Sequence, residues 1–246
     1  RRLDHHLECR RADRRQLRQS QKLTNPRATT ARRQTGRAKT AAPRRRPELL
    51  AGEDLPAIAK QKRSLGKRAA LLKSALRLFG KRGFEATSID QIAEAAKVAV
   101  GGFYQHFRSK RQILLVLMDE LLTKLEQLNL QPRGDSLRAG IREVLRNGFA
   151  TDLEYAGAYR AWREAILSDA DLARKDRRIR AWTTARVVQL FEPMRLLPNV
   201  RADLALPAFA EMLDSLFWQL VGQPPKRVDA MIDTIAHVIQ HSLFVD

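Results

Sequence analysis

The sequence predicts an all-α protein: an N-terminal three-helix helix-turn-helix unit and a larger C-terminal helical part, nine helices in all. Three observations carry this. Apolar residues recur at the 3.6-residue period along most of the chain after residue 65. Leu and Ala are abundant, while Phe, Trp and Tyr together make only 6% of the chain, which favours helix. No segment alternates apolar and polar residues between hairpin turns, and no internal repeat is present.

The first helix is expected over residues 66–82. Leu72, Ala75, Leu76 and Phe79 lie at i, i+3, i+4 and i+7, and Gly83 can cap its end. A short second helix follows. Ser88 is placed to cap it, and Gln91 completes a capping box. Ile89, Ile92, Ala93 and Ala96 make its apolar stripe, which Lys97-Val98 interrupts. A third short helix is read from Val100 to Phe107. Ser109 then starts a long helix to about Leu130, stopped by Pro132-Arg133-Gly134. Five more helices are predicted: 135–154, 157–167, 168–196 with a kink at Pro193, 201–221 and 225–244.

Charge divides the chain differently. Residues 1–64 hold 19 Lys and Arg against 6 Asp and Glu, and residues 65–112 hold 10 against 3. The remainder holds 17 against 18, so the total of +19 sits at one end. Such a gradient points to a polyanion at that end. The predicted organisation is therefore a basic arm over 1–62, a helix-turn-helix domain over 63–112, and a near-neutral helical domain over 113–246. The arm has few large apolar residues and is expected to be disordered. It reads either as a phosphate-tracking arm or as a plain solvated tail.

Other classes lose support. Cys9 is the only cysteine, so a disulfide framework is excluded and a reducing cytoplasm is the expected setting. No apolar run approaches 18 residues, so no membrane span is expected. His5-His6 lacks further ligand spacing, and no cofactor or metal site is expected. No phosphate-cradling glycine loop or nucleophile motif is present, so the chain is not expected to be an enzyme.

Two short helices joined by a tight turn follow the plan of a helix-turn-helix, which lays its second helix in the DNA major groove. The motif residues are Phe79, Gly83-Phe84, Thr87-Ser88-Ile89, Ile92-Ala93, Val98, Gly101, Phe103-Tyr104, His106-Phe107 and Ser109-Lys110. With this spacing, over about 45 residues, the chain resembles the TetR family of bacterial one-component repressors. Ala99 stands where that family usually has Ser, and Lys97 where it often has Gly. A left-handed backbone at Lys97 would cost about 1 kcal/mol.

The resemblance implies phosphate contacts for Tyr104, His106 and Lys110. Ser88, at its helix N-terminus, is expected to meet a phosphate as well. Val100, Gly101, Gly102 and Gln105 are the expected base-reading positions; Gln105 suits adenine edges and Val100 thymine methyls. The resemblance also implies a small-molecule pocket in the C-terminal part. Its expected lining is Phe149, Tyr155, Tyr159, Trp162 and Trp182, for which the alternative is plain core.

The last two helices carry long apolar stripes: Phe209, Met212, Leu213, Leu216, Phe217 and Leu220, then Val228, Met231, Ile232, Ile235, Val238 and Ile239. These read either as a two-sided core or, as the resemblance implies, as a four-helix homodimer interface. The expected function is a ligand-responsive regulator on double-stranded DNA, a repressor released by a small hydrophobic or amphipathic effector, acting in the cytoplasm on the nucleoid. The rival is an effector-independent architectural or nucleoid-associated DNA-binding protein.

Overall fold

The computed structural model describes residues 45–58, 61–128, 137–193, 199–201, 203–220, 223 and 225–244. The described residues form helices and no strand; a single antiparallel bridge joins Val200 to Phe244. The arm over 1–44, the break at 132–134 and Leu196 lie outside the described residues.

Helix α1 spans Lys62–Arg82, one turn longer at its start than its apolar stripe requires. Lys81 and Arg82 sit favourably in its last turn, against the negative end of the helix dipole. Gly83 ends it at φ 85° with its N–H donating to the Phe79 carbonyl, a conformation that favours glycine. Helix α2, Ile89–Ala95, opens on the capping box read from the sequence. Ser88 Oγ accepts from the Gln91 N–H and Gln91 Oε1 accepts from the Ser88 N–H, both at 3.2 Å. The turn that follows places Lys97 at φ 55°. Lys97→Gly is therefore expected to raise the unfolding free energy by about 1 kcal/mol, measured by urea titration. Helix α3, Val100–Tyr104, stops short of the expected Phe107.

Helix α4, Lys110–Gln127, starts at Ser109, whose Oγ accepts from the Gln112 N–H. It is buried on nearly every side from Gln112 to Met118, and is the central rod of the molecule. Helix α5, Leu137–Glu154, and helix α6, Ala156–Ser168, are separated by a bend at Tyr155. Helix α7, Ala170–Phe191, is capped by Asp169, which accepts from the N–H groups of Asp171 and Leu172. Helices α8, Leu206–Leu220, and α9, Pro225–Leu243, complete the chain. Proline suits the first position of α9 because its missing N–H has no partner there in any helix.

Two clusters of buried side chains hold these helices. The first runs from Phe79, Phe103 and Phe107 through Leu114 to Trp162, so the core continues without a break across residue 112. The second joins α5, the end of α7, α8 and α9 through Phe149, Phe191, Phe209 and Ile239. Phe209, Ile232, Ile235 and Ile239, expected at a dimer interface, are buried in this second core. Leu213, Phe217 and Met231 are partly buried against it, and Leu216 is half-buried. The stripes thus face α5 and α7 of their own chain. Met212 and Val238 remain exposed on the outer side, and the side chain of Leu220 lies outside the described residues.

Residues 45–58, assigned from composition to a disordered arm, are a packed strap. Leu49 is fully buried, and Lys175 Nζ donates to its carbonyl at 2.9 Å. Arg46 pairs with Asp119 of α4 at 2.6 Å. Arg111 gathers three carboxylates, Glu53 of the strap and Asp169 and Asp171 of α7, each at 2.7 Å. These partners lie far away in sequence, so composition alone misjudged the segment.

Candidate DNA-binding face and adjoining cavity

Helix α3 is too short to be stable alone; it is held by Phe103, Phe107 and His106, all turned inward. Its other side presents Val100, Gly101, Tyr104 and Gln105 to solvent, with Tyr104 51% exposed. Four of the expected base- and phosphate-facing positions therefore share one open face. Gly101 has open space beyond it, whereas a Cβ on Gly102 would lie 2.8 Å from Val98 Cγ1. Gly102, an expected reading position, is thus a packing position.

Of the expected phosphate ligands, His106 is buried and Lys110 is bonded to main-chain carbonyls. His106 is only 6% exposed, and its Nε2 has no hydrogen-bond partner. Burial, together with the charges of Arg68 and Lys67, lowers its imidazole from the ordinary histidine value. Lys110 Nζ donates to the carbonyls of Phe84 at 2.8 Å and Glu85 at 3.2 Å and lies 4.5 Å from the Phe84 ring centroid. It pins the loop between α1 and α2 to the start of α4. That role was invisible in the motif, because the partners are main-chain atoms 26 and 25 residues away.

The head is joined to the rest through α6. Arg160 Nη1 donates to the carbonyls of Gly80 at 2.9 Å and Lys81 at 3.3 Å, satisfying the C-terminal end of α1. One turn later Glu164 Oε2 accepts from the N–H groups of Phe84 at 2.6 Å and Glu85 at 3.3 Å. About one turn before Arg160, α6 crosses α1 at Gly157 and Gly80, where a Cβ on Gly157 would overlap the Leu76 carbonyl oxygen.

The opposite side of α6 faces a cavity of about 180 Å³ lined mainly by apolar side chains. It lies at the seam between the two cores. Leu122 and Leu125 of α4, Phe149 of α5, Trp182 of α7 and Phe217 of α8 form its apolar wall. The Phe149 and Phe217 rings stack at 5.1 Å, and Tyr159 meets Trp218 edge-on at 4.9 Å. Of the expected lining, Phe149, Tyr159 and Trp182 are on the cavity. Tyr155 is buried at the α5–α6 bend with Lys124 Nζ 5.0 Å from its ring centroid. Trp162 is fully buried in the first core, and its Nε1 donates to Asp176 at 2.9 Å. It is a core residue.

Sequence reasoning missed the polar wall: Asp152, Thr183, Arg186 and Asp214. Asp152 is 2% exposed, and its Oδ1 accepts from the Tyr159 hydroxyl at 2.7 Å. Burial pushes its carboxyl up to about 8; the Tyr159 hydrogen bond opposes this and the nearby Asp214 adds to it. The available signal was positional. Ile141, Leu145, Phe149 and Asp152 fall on one stripe of α5, and an acid there breaks the apolar run.

A pH dependence follows. Between the ordinary carboxylate range near 4 and about 8, the native chain keeps a proton on Asp152 that the unfolded chain has released. The contribution of this group is therefore fully present below the lower limit and is lost as pH rises through the window. Denaturant unfolding at pH 5 to 8 is expected to show the parent losing ground to Asp152→Asn, by at most about 1.4 kcal/mol per pH unit. Parallel pH profiles would mean that the buried carboxyl is already ionised.

A short helix with one exposed face, held by a capped partner helix and clamped to a helical body, defines a helix-turn-helix protein of the regulatory class. The model of the family described as bacterial regulatory proteins, tetR family, matches residues 71–117. The transcriptional regulator YuxN of Bacillus subtilis is 33% identical over 93 residues, 36% of this chain and 31% of that protein. The chain thus spans under a third of the length of that relative. The transcriptional repressor Rv1474c of Mycobacterium tuberculosis is 24% identical over 186 residues, covering 72% of this chain and 94% of its own. Among solved structures, a tetR-family regulatory protein from Rhodococcus RHA1 superposes with a TM-score of 0.58 at 17% identity, over 76% of this chain and all of the other. A gamma-butyrolactone receptor gives 0.53 at 17% identity, over 73% of this chain and 98% of that one. Residues 71–117 thus match the tetR family's own model, and the described helices share the fold of tetR-family proteins. Among the described residues, no helix is long and apolar enough to cross a membrane.

Proposed function

We propose that this chain is a transcriptional repressor that binds a near-palindromic duplex as a homodimer and leaves it when a small hydrophobic or amphipathic effector fills the cavity. The observation that carries this reading is the double role of α6. Tyr159 borders the cavity, while Gly157, Arg160 and Glu164 on the same helix hold the end of α1. A ligand that shifts α6 moves the head with it, and a state whose recognition helices no longer match successive major grooves is thereby favoured. The exposed face of α3 supports DNA reading by Val100, Gly101 and Gln105, with Tyr104 and Ser88 toward phosphates. The basic excess before residue 112 supports the same orientation. An effector-independent architectural protein would have no use for the cavity. Action is proposed in the cytoplasm, on the nucleoid.

The test is a binding selection from randomised duplexes with the parent and two variants. Gln105→Ala is expected to change preference at one position in each half-site. Tyr104→Phe is expected to weaken all duplexes alike, by about fivefold for one lost hydrogen bond. Identical preference and affinity in all three proteins would remove α3 as the reading helix.

A further inference from the structure

Asp152 is a buried acid with no cation beside it. Among the described residues its polar contact is the Tyr159 hydroxyl, and no Lys, Arg or His pairs with it. Asparagine would accept that hydrogen bond equally well, so packing alone does not call for a carboxyl here. The neighbouring acid differs. Burial raises the Asp214 carboxyl as well, but it accepts from Thr183 Oγ1 at 2.9 Å and has Arg180 at 3.9 Å.

The guanidinium groups near the cavity are both committed. Arg180 pairs with Asp176 at 2.8 Å and lies 4.5 Å from the Trp218 ring centroid. Arg186 donates to the Leu125 carbonyl at 2.9 Å and lies over Trp182. An ionised Asp152 would thus be an acid on this wall without a cationic partner, whereas Arg186 is held by the Leu125 carbonyl and the Trp182 ring. Tyr159, Trp182 and Trp218 turn aromatic surface toward the same space. Aromatic faces and a carboxyl both favour positive charge and disfavour an anion.

We infer that the effector is a lipophilic cation: an aromatic or alkyl body that fills the apolar wall and a protonated amine that pairs with Asp152. The inference rests on the reading of this cavity as the effector site. The size suits a small molecule; a cavity of about 150 Å³ accepts benzene, and this one is about 180 Å³. In the empty cavity Asp152 holds its proton. The arriving ammonium replaces that proton, which leaves to solvent, and the ion pair forms with the Tyr159 hydroxyl still donating to Oδ1. Charge is conserved: one cation enters and one proton departs. The groups that bear on this exchange are Tyr159 from α6, Asp214 from α8, and Thr183, Arg180 and Arg186 from α7; α4 and α9 present only apolar side chains to the cavity.

The experiment compares 3-phenylpropylamine, 3-phenylpropanol and 3-phenylpropanoate by calorimetry at pH 7 on the full chain. The amine is expected to bind at least about tenfold more tightly than the alcohol, as a charge-assisted hydrogen bond provides, and the carboxylate to bind most weakly. In buffers of different ionisation enthalpy, amine binding is expected to release close to ~1 proton. Asp152→Asn should bring the amine down to the alcohol's affinity, abolish proton release and leave the alcohol unchanged. Equal affinity of amine and alcohol in the parent, or tightest binding of the carboxylate, would overturn the cation assignment while the cavity remains an effector site. Absence of binding by all three would overturn both. If Asp152→Asn does not fold, the proton count on the parent decides alone, and a count of zero rejects the ion pair.

Discussion

Gly157→Ala is expected to lower the unfolding free energy by about 3 kcal/mol, and by more if the backbone cannot yield. The new methyl has no free direction. It would overlap the Leu76 carbonyl oxygen and approach Gly80 N at 3.0 Å, both main-chain atoms of α1. Side chains can rotate away from such a contact, but two helix backbones must separate. Separation lengthens the Arg160 bonds to Gly80 and Lys81 and the Glu164 bonds to Phe84 and Glu85. DNA affinity should fall with stability, because those bonds set the position of the head. Gly66→Ala is the control. Its Cβ meets nothing within 4 Å, and the variant is expected to gain up to about 1 kcal/mol from helix propensity. Thermal unfolding of both variants decides the matter, and a Gly157→Ala protein as stable as the parent would show that the helix crossing is loose.

The strap carries the second large effect. A chain starting at residue 59 is expected to lose about 4 kcal/mol or more relative to one starting at residue 45. Leu49 is fully buried, and emptying such a site by Leu→Ala alone costs about 2–5 kcal/mol. Removing Glu53 also takes a carboxylate from Arg111 and Lys175, of which Lys175 is nearly buried. Leu49→Ala should reproduce most of the loss, and Glu53→Gln a smaller part. Urea unfolding with unchanged slope and a lower midpoint is the expected signature. If the shorter chain unfolds at the same midpoint, the strap is only laid on the surface.

These two effects mark the limit of what could be read from residues alone. Local features were legible: the Ser88–Gln91 box, the glycine at the end of α1 and the left-handed turn at Lys97 each depend on neighbours within four positions. Features made by distant partners were not. Leu49 and Leu50 are two apolar residues among charges, and distant partners such as Lys175, Asp119, Arg111, Arg108 and Gln112 make an ordered strap of them. Helical periodicity identified the stripes on α8 and α9, but the same spacing serves a partner chain or the chain's own core, and here α5 and α7 occupy them. At the site, the exposure of Val100, Tyr104 and Gln105 is what the motif implied, whereas the burial of His106 and the Lys110 bonds to main-chain carbonyls left no mark in the sequence. Asp152 was hidden because one acid in an apolar stripe resembles an ordinary surface residue.

The unbroken core across residue 112 bears on how such proteins are recombined. Phe79, Phe103 and Phe107 share one cluster with Leu114 and Trp162, and α6 closes the polar ends of the same unit. A chimaera spliced at residue 112 would carry the reading surface away from half of its own foundation. A workable graft has to move residues 157–164 together with residues 62–112, so the transferable part is discontinuous in sequence. Regulators rebuilt with new promoters therefore need their junctions drawn through α6 and not through the linker that the primary structure suggests.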